Sequence, residues 1–149
     1  MATVSDSIDI NAPAQVVFDL ISRLERMGEI SPEATGGTWL KSATGPAVGA
    51  KFKGSNTHGK MTWNTTSTVV VCDAPRSFAF EVTFGPAKVA RWQYDIASTD
   101  TGCRVTETWI DRRSSLSKRF AKTPAGDRDE YTPKSIRETL ENLKRRVEG

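Results

Sequence analysis

Apolar positions along this chain follow one spacing near the ends and another in the middle. Val4, Asp6, Ile8 and Ile10 alternate against Ser5, Ser7 and Asp9, the spacing of a first strand with one half-buried face. Asn-Ala-Pro interrupts it, with Asn11 or Ala12 as a helix cap and Pro13 in the first turn, where a missing amide hydrogen does no harm. Ala14, Val17, Phe18, Ile21 and Leu24 continue as a helical stripe. A second short helical piece after Leu24 is expected to end by Gly28 or, at the latest, Ser31-Pro32.

Beyond Pro32 the period shortens to two and stays there for about eighty residues, judged by the strand criteria. Strands are predicted near Gly37 to Ser42, Ala50 to Asn56, Met61 to Cys72, Phe78 to Phe84, Val89 to Ala97 and Cys103 to Asp111. Turn residues separate them at Thr44-Gly45-Pro46, His58-Gly59, Ala74-Pro75-Arg76, Gly85-Pro86 and Asp100-Thr101-Gly102. The C-terminal segment is helical again: Ile136, Leu140, Leu143 and Val147 recur at spacings of four, three and four, with charged residues on the other faces. Thr132-Pro133 reads as cap and first position, or as a kink in a helix that starts near Asp127.

The order is therefore strand, two short helices, six strands and one long amphipathic helix. Strand and helix do not alternate, which argues against a doubly wound parallel sheet. An antiparallel sheet with one face to bury and one long helix to bury it against will curve around that helix, leaving a cavity between them. The fold class is α+β.

A length of 149 residues matches one domain spanning 1–149. An apolar fraction of 37%, a charged fraction of 26% and a mean hydropathy of -0.45 describe a folded, water-soluble domain. The N-terminal Met-Ala-Thr-Val-Ser-Asp-Ser has neither the basic start nor the apolar run of a secretory signal, so the cytoplasm is the expected compartment. Cys72 and Cys103 have no neighbouring cysteine or histidine and are expected to be free, half-buried strand residues. The net charge is +3, and Arg112, Arg113, Lys118, Arg119 and Lys122 form a basic segment without a carboxylate. A solvated loop is its plainer reading; contact with RNA, a ribosome or a membrane surface is the functional one. Neither a nucleic-acid partner nor stable membrane insertion is expected.

The runs INAPAQVVFDLISRLERMGEISPE, GAKFKGSNTHGKMTWNTTSTVVVCDAPRSFAFEV, RWQYDI and GCRVTETW resemble the START-like, helix-grip superfamily known as SRPBCC, in its bacterial polyketide cyclase/dehydratase-type branch. The resemblance covers nearly the whole chain. It implies a helix-grip fold, a curved seven-stranded antiparallel sheet wrapped around a long C-terminal helix, with a pocket for a lipid, polyketide, sterol or other apolar ligand. Fold alone does not name a function in such a superfamily. Where this branch often carries an aromatic residue before Ser-Pro-Glu, this chain has Ile30.

Alternation also nominates site residues. The Phe52 face of its strand includes Asn56; Phe78, Phe80, Val82 and Phe84 share one face, as do Trp92, Tyr94 and Ile96. On the last strand Cys103, Val105, Glu107 and Trp109 point together, so Glu107 is a carboxylate among apolar neighbours and needs a proton or a partner, with Asn56 or Tyr94 in reach. In the strand from Met61 neither face is plainly apolar, and a bulge midway would switch them. Among helical residues, which read first as core, Tyr131, Ile136 and Leu140 are the candidates to touch a ligand. Leu116 and Phe120, four apart, suit a short gate over the pocket.

No phosphate loop, nucleophile elbow or zinc-protease motif is present, and no metal or cofactor is expected. His58, the only histidine, falls at a hairpin tip beside Gly59 and reads as exposed and structural. Three functions remain. The first is binding of a small hydrophobic molecule through Asn56, Phe80, Trp92, Tyr94, Glu107, Trp109, Phe120, Tyr131, Ile136 and Leu140, by a monomer or homodimer. The second is polyketide cyclisation or dehydration with Glu107 as acid/base. The third is an interaction module using residues 112–122.

Overall fold

Strands with one apolar face pair only in registers that keep those faces together. The computed structural model describes residues 3–41, 43–114 and 128–149. Among them run β1 (Thr3–Ile10), α1 (Ala14–Ile21), a 3₁₀ helix (Leu24–Glu29), β2 (Ala34–Trp39), β3 (Lys51–His58), β4 (Met61–Asp73), β5 (Ser77–Phe84), β6 (Ala87–Thr99), β7 (Gly102–Asp111) and α2 (Arg128–Glu148). Leu116, Phe120, Lys118, Arg119 and Lys122 lie outside the described residues. No helix among the described residues is long and apolar enough to cross a membrane.

The seven strands form one antiparallel sheet in the order β1-β7-β6-β5-β4-β3-β2. β1 and β2 are consecutive in sequence but occupy opposite edges. The helices between them bridge the gap: α1 touches β5 and β6, while the 3₁₀ helix touches β2 and β3. α2 lies chiefly along β1, with fewer contacts to β7. Its Ile136, Leu140 and Leu143 are fully buried in one cluster with Ile10, Val17, Ile21 and Val105. Polar ties fix its position: Lys144 Nζ donates to the Asp9 carbonyl at 2.9 Å, and Asn142 Nδ2 to the Ile30 carbonyl at 2.8 Å.

Several local details depart from the sequence reading. Pro13 is the cap of α1 and not part of its first turn; its extended ψ of 145° turns the chain, and its carbonyl accepts from the amides of Val16 and Val17. α2 takes the earlier of the two starts, with Pro133 inside the helix. A register shift between Val69 and Val71 supplies the bulge in β4, so Ser67 and Val69 are buried before it and Cys72 packs on the core after it. A second shift, where Val82 and Thr83 pair with Ala90 and Lys88, makes Val89 of β6 the extra residue; Phe84, expected inside, is 46% exposed at the end of β5, beside the Gly85-Pro86 turn. Cys72 and Cys103 are both free; Cys103 is fully buried and not half-buried.

Two glycines work differently in the hairpins. Gly59 (φ +62°) opens the two-residue turn after His58, and a methyl group there would meet nothing within 4 Å. At Gly102 a methyl group would overlap the Ile10 carbonyl and lie 2.7 Å from the Ala12 amide, because the chain leaving β1 crosses directly over it. Gly59→Ala should therefore cost about 1 kcal/mol, from backbone conformation alone, and Gly102→Ala roughly 3 kcal/mol, from overpacking. Urea unfolding midpoints measure both, and equal costs would mean that the end of β1 yields freely.

Candidate functional site

Cross-strand register sorts the concave face into rows of side chains about 7 Å apart along the strands. One row runs Phe78, Tyr94, Glu107 and Asp6 across β5, β6, β7 and β1. The next runs Val69, Phe80, Trp92, Trp109 and Val4. A third contains Phe52, Ser67, Val82, Ala90 and Asp111. Trp63 and Asn56 pair at the far end of β3 and β4. Each row follows from period-two patterning on its own strand together with the pairing register, so the inward sets read from sequence become neighbours in space.

A cavity of about 150 Å³ lies between these rows, the 3₁₀ helix and α2. Phe80, Trp92, Trp109, Trp63 and Phe52 supply its aromatic walls, with Leu24 and Met27 from the 3₁₀ helix. Asn56, Thr65, Ser67, Ser135 and Thr139 contribute polar groups, and Glu107 and Arg113 contribute ionisable ones. Of the residues nominated from sequence, the structure brings Asn56, Phe80, Trp92, Tyr94, Glu107 and Trp109 together here. Ile136 and Leu140 point into the closed core, and the flanking Ser135 and Thr139 present α2 to the cavity. Tyr131 does not line the cavity; its ring meets His58 edge to face, with centroids 4.4 Å apart. His58 is thus half-buried against the start of α2 and not simply an exposed tip. Ile30 is in the core, while Ser31 and Glu33 just after it line the cavity.

Glu107 is 2% exposed. The Tyr94 hydroxyl donates to its Oε2 at 2.9 Å, and Oε1 has no partner among the described residues. Asn56, the other partner considered, instead donates its Nδ2 to Thr65 Oγ1 at 3.1 Å. Burial raises the Glu107 carboxyl to about 8; the Tyr94 hydrogen bond works against this, and the charge of Asp6, its register partner, adds to it. Asp6 in turn accepts from Arg137 Nη1 of α2 at 3.2 Å. Burial, then the neighbouring carboxyl, holds the Tyr94 phenol well above its ordinary range.

The basic segment begins differently from a solvated loop. Arg113 is only 14% exposed on its side chain and donates from Nε and Nη2 to the two oxygens of buried Asp111, both at 3.0 Å. Its guanidinium carbon lies 5.9 Å from the Trp109 ring centroid. Arg112 reaches Glu81 at 3.6 Å. Extending the Glu107, Trp109, Asp111 alternation by one step would have placed Arg113 on the cavity side. Ser135 and Thr139 had no such signal, because they sit beside the apolar stripe and read as its margin. Burial raises both cysteine thiols, which leaves them poor nucleophiles. No cluster of three or more potential metal ligands occurs among the described residues.

The chain also resembles known proteins. The family model described as polyketide cyclase / dehydrase and lipid transport matches residues 1–148. A solution structure of the Polyketide_cyc-like protein Cgl2372 from Corynebacterium glutamicum is 32% identical, with a TM-score of 0.60 over 98% of this chain and 91% of that one. The di-domain ARO/CYC StfQ of the steffimycin biosynthetic pathway has a TM-score of 0.75 at 10% identity, over 98% of this chain and 50% of its own. Protein NE0264 from Nitrosomonas europaea has a TM-score of 0.73 at 9% identity, over 98% and 94% of the two chains; these two likenesses are of fold. No curated protein matches the chain significantly. The register-built concave face, the cavity beneath α2 and the match over residues 1–148 lead to one assignment: the chain belongs to the polyketide cyclase / dehydrase and lipid transport family, with the helix-grip fold.

Proposed function

We propose that this protein binds a small hydrophobic molecule in the cavity between the sheet and α2. The observation that carries the reading is the composition of that cavity: aromatic walls from Phe80, Trp92 and Trp109 around Glu107, the one buried carboxyl among its described lining residues. Ligand sites are typically built this way, with apolar surface for affinity and a few polar groups for orientation. Burial of apolar ligand surface contributes roughly 25 cal/mol per Å². Family membership supports the same reading, since its description joins cyclisation with lipid transport. The reading involves no cofactor.

A second reading is favoured by one specific feature, the protonation of Glu107. A carboxyl at about 8 is largely protonated at neutral pH yet close enough to ionise. It can give a proton to a ligand carbonyl or departing hydroxyl and take one back, the acid/base work of cyclisation or dehydration, while the aromatic rows hold the substrate folded.

Glu107 also ties stability to pH. Its folded value of about 8 lies above the ordinary carboxyl value of 4.5, so between those values the folded state holds a proton that the unfolded state has lost. The contribution is fully present below pH 4.5 and is lost as pH rises through 8. It amounts to a few kcal/mol, at ~1.4 kcal/mol per pH unit.

Three outcomes are expected. Titration of the protein with lipids and aromatic polyketides should quench tryptophan fluorescence, and mass spectrometry of organic extracts from natively purified protein should reveal a bound apolar compound; a packed interior with no response would sink the binding reading. Wild-type protein should lose stability from pH 5 to 8 relative to Glu107→Gln, measured by urea midpoints. If turnover of a polyketide-like substrate is found, Glu107→Gln should abolish it while ligand affinity persists; retained turnover rules out Glu107 as the acid.

A further inference from the structure

We infer that the face of the sheet opposite the cavity docks on an anionic lipid surface. The charge pattern of that face stands by itself; the choice of a lipid surface over another polyanion rests on the cavity-binding reading.

The pattern comes from register. Lys51, Thr68, Glu81, Arg91 and Ile110 stand side by side across β3, β4, β5, β6 and β7. One step towards the hairpins, Lys53, Thr66, Thr83 and Lys88 form a second row, which Arg112 completes, its amide bonded to the carbonyl of Val89. Phe52, Ser67, Val82 and Ala90, which lie between the two rows along their strands, line the cavity, so both rows point away from it. Contacts within the rows agree: Lys51 Nζ donates to Thr68 Oγ1 at 2.9 Å, and Arg91 and Arg112 reach Glu81 at 3.7 and 3.6 Å. Four strand spacings make the patch about 19 Å wide.

Five cations stand here with one carboxylate, so these two rows carry +4 where the whole chain carries +3. Glu81 is shared by both arginines. Lys51, Lys53 and Lys88 are exposed and have no ionic partner among the described residues. The flanking rows on the same face, Ser55 and Asn64 on one side and Ala79, Gln93 and Thr108 on the other, are uncharged. Cations held within about a Debye length, ~8 Å at physiological salt, repel one another, and a polyanionic surface relieves that repulsion.

The chemistry of the rows selects the partner. They hold no aromatic residue on which the bases of a single strand could stack. They lie within the sheet, so no helix or ribbon projects from them into a duplex groove. Their ammonium, guanidinium and hydroxyl donors suit lipid headgroups, which move to meet fixed charges. An apolar ligand of the proposed kind dissolves in bilayers. The strands that carry these cations also form the cavity wall, so docking brings that wall to the ligand's reservoir.

Co-sedimentation with vesicles tests this, using phosphatidylcholine alone and equal parts of phosphatidylcholine and phosphatidylserine. The protein should bind the mixed vesicles only, and should release them at about 0.5 M sodium chloride, where the Debye length falls below roughly 5 Å. Lys53→Gln and Lys88→Gln should each weaken binding about fivefold, and both together with Lys51→Gln about a hundredfold, at ~1 kcal/mol per cation. Removing as many cations away from the rows, with Arg76→Gln, Arg104→Gln and Arg145→Gln, should leave most of the affinity. No binding to mixed vesicles, equal binding to both kinds, an equal loss in the second triple variant, or tighter binding to single-stranded or duplex RNA than to mixed vesicles overturns the inference. None of these measurements uses a cavity ligand, so such a failure leaves the cavity-binding reading to its own titration. Should a triple variant fail to fold, the single variants decide alone.

Discussion

One helix cannot cover seven strands, and the site follows from that mismatch. α2 lies along β1 and reaches β7, α1 covers part of β5 and β6, and the 3₁₀ helix covers β2 and β3. Where β4 through β7 pass beyond these covers, their inward side chains face one another across a gap. Large aromatic side chains fill much of it, because they bury the most surface for each position on the sheet. What remains is the cavity of about 150 Å³. Lys144 and Asn142 tie α2 to the backbone of β1 and of the segment after the 3₁₀ helix.

The state of Glu107 is decided by a contest of unequal terms. Removing an ionised carboxylate from water costs several kcal/mol, while the hydrogen bond from Tyr94 returns on the order of 1–3 kcal/mol. Asp6 adds repulsion from the adjacent strand. The group therefore keeps its proton at neutral pH, and a residue that looks like a misplaced charge in the sequence becomes a neutral acid in the fold. Arg113 shows the opposite solution: buried Asp111 neutralises it in place through two parallel hydrogen bonds.

Much of this was legible before any coordinates. Period-two alternation placed Phe80, Trp92, Tyr94, Glu107 and Trp109 on the inward face, where the structure has them, because each strand keeps its own parity when neighbours pair in register. Parity is not enough at a strand end: Phe84 keeps the alternation of β5 yet is 46% exposed beside the Gly85-Pro86 turn. The bulge that the sequence allows midway along β4 falls between Val69 and Val71, a position that only the pairing with β5 fixes. On α2, Ile136 and Leu140 read first as core and second as candidates to touch a ligand; the structure buries both in the core, because the most apolar face of a helix goes to the driest place. The cavity instead received the stripe's polar margin, Ser135 and Thr139.

By itself, then, the sequence determined the element order, the antiparallel grip and the parity of each strand, because these depend on local spacing and on the need to hide one face. Only the tertiary structure decided that Tyr94 and not Asn56 bonds Glu107, that Asp6 stands beside it, that Arg113 is held by Asp111, and that His58 rests against Tyr131. Those facts join residues from different strands and helices. Pairing register and helix placement set such distances, and no periodicity within one segment encodes them.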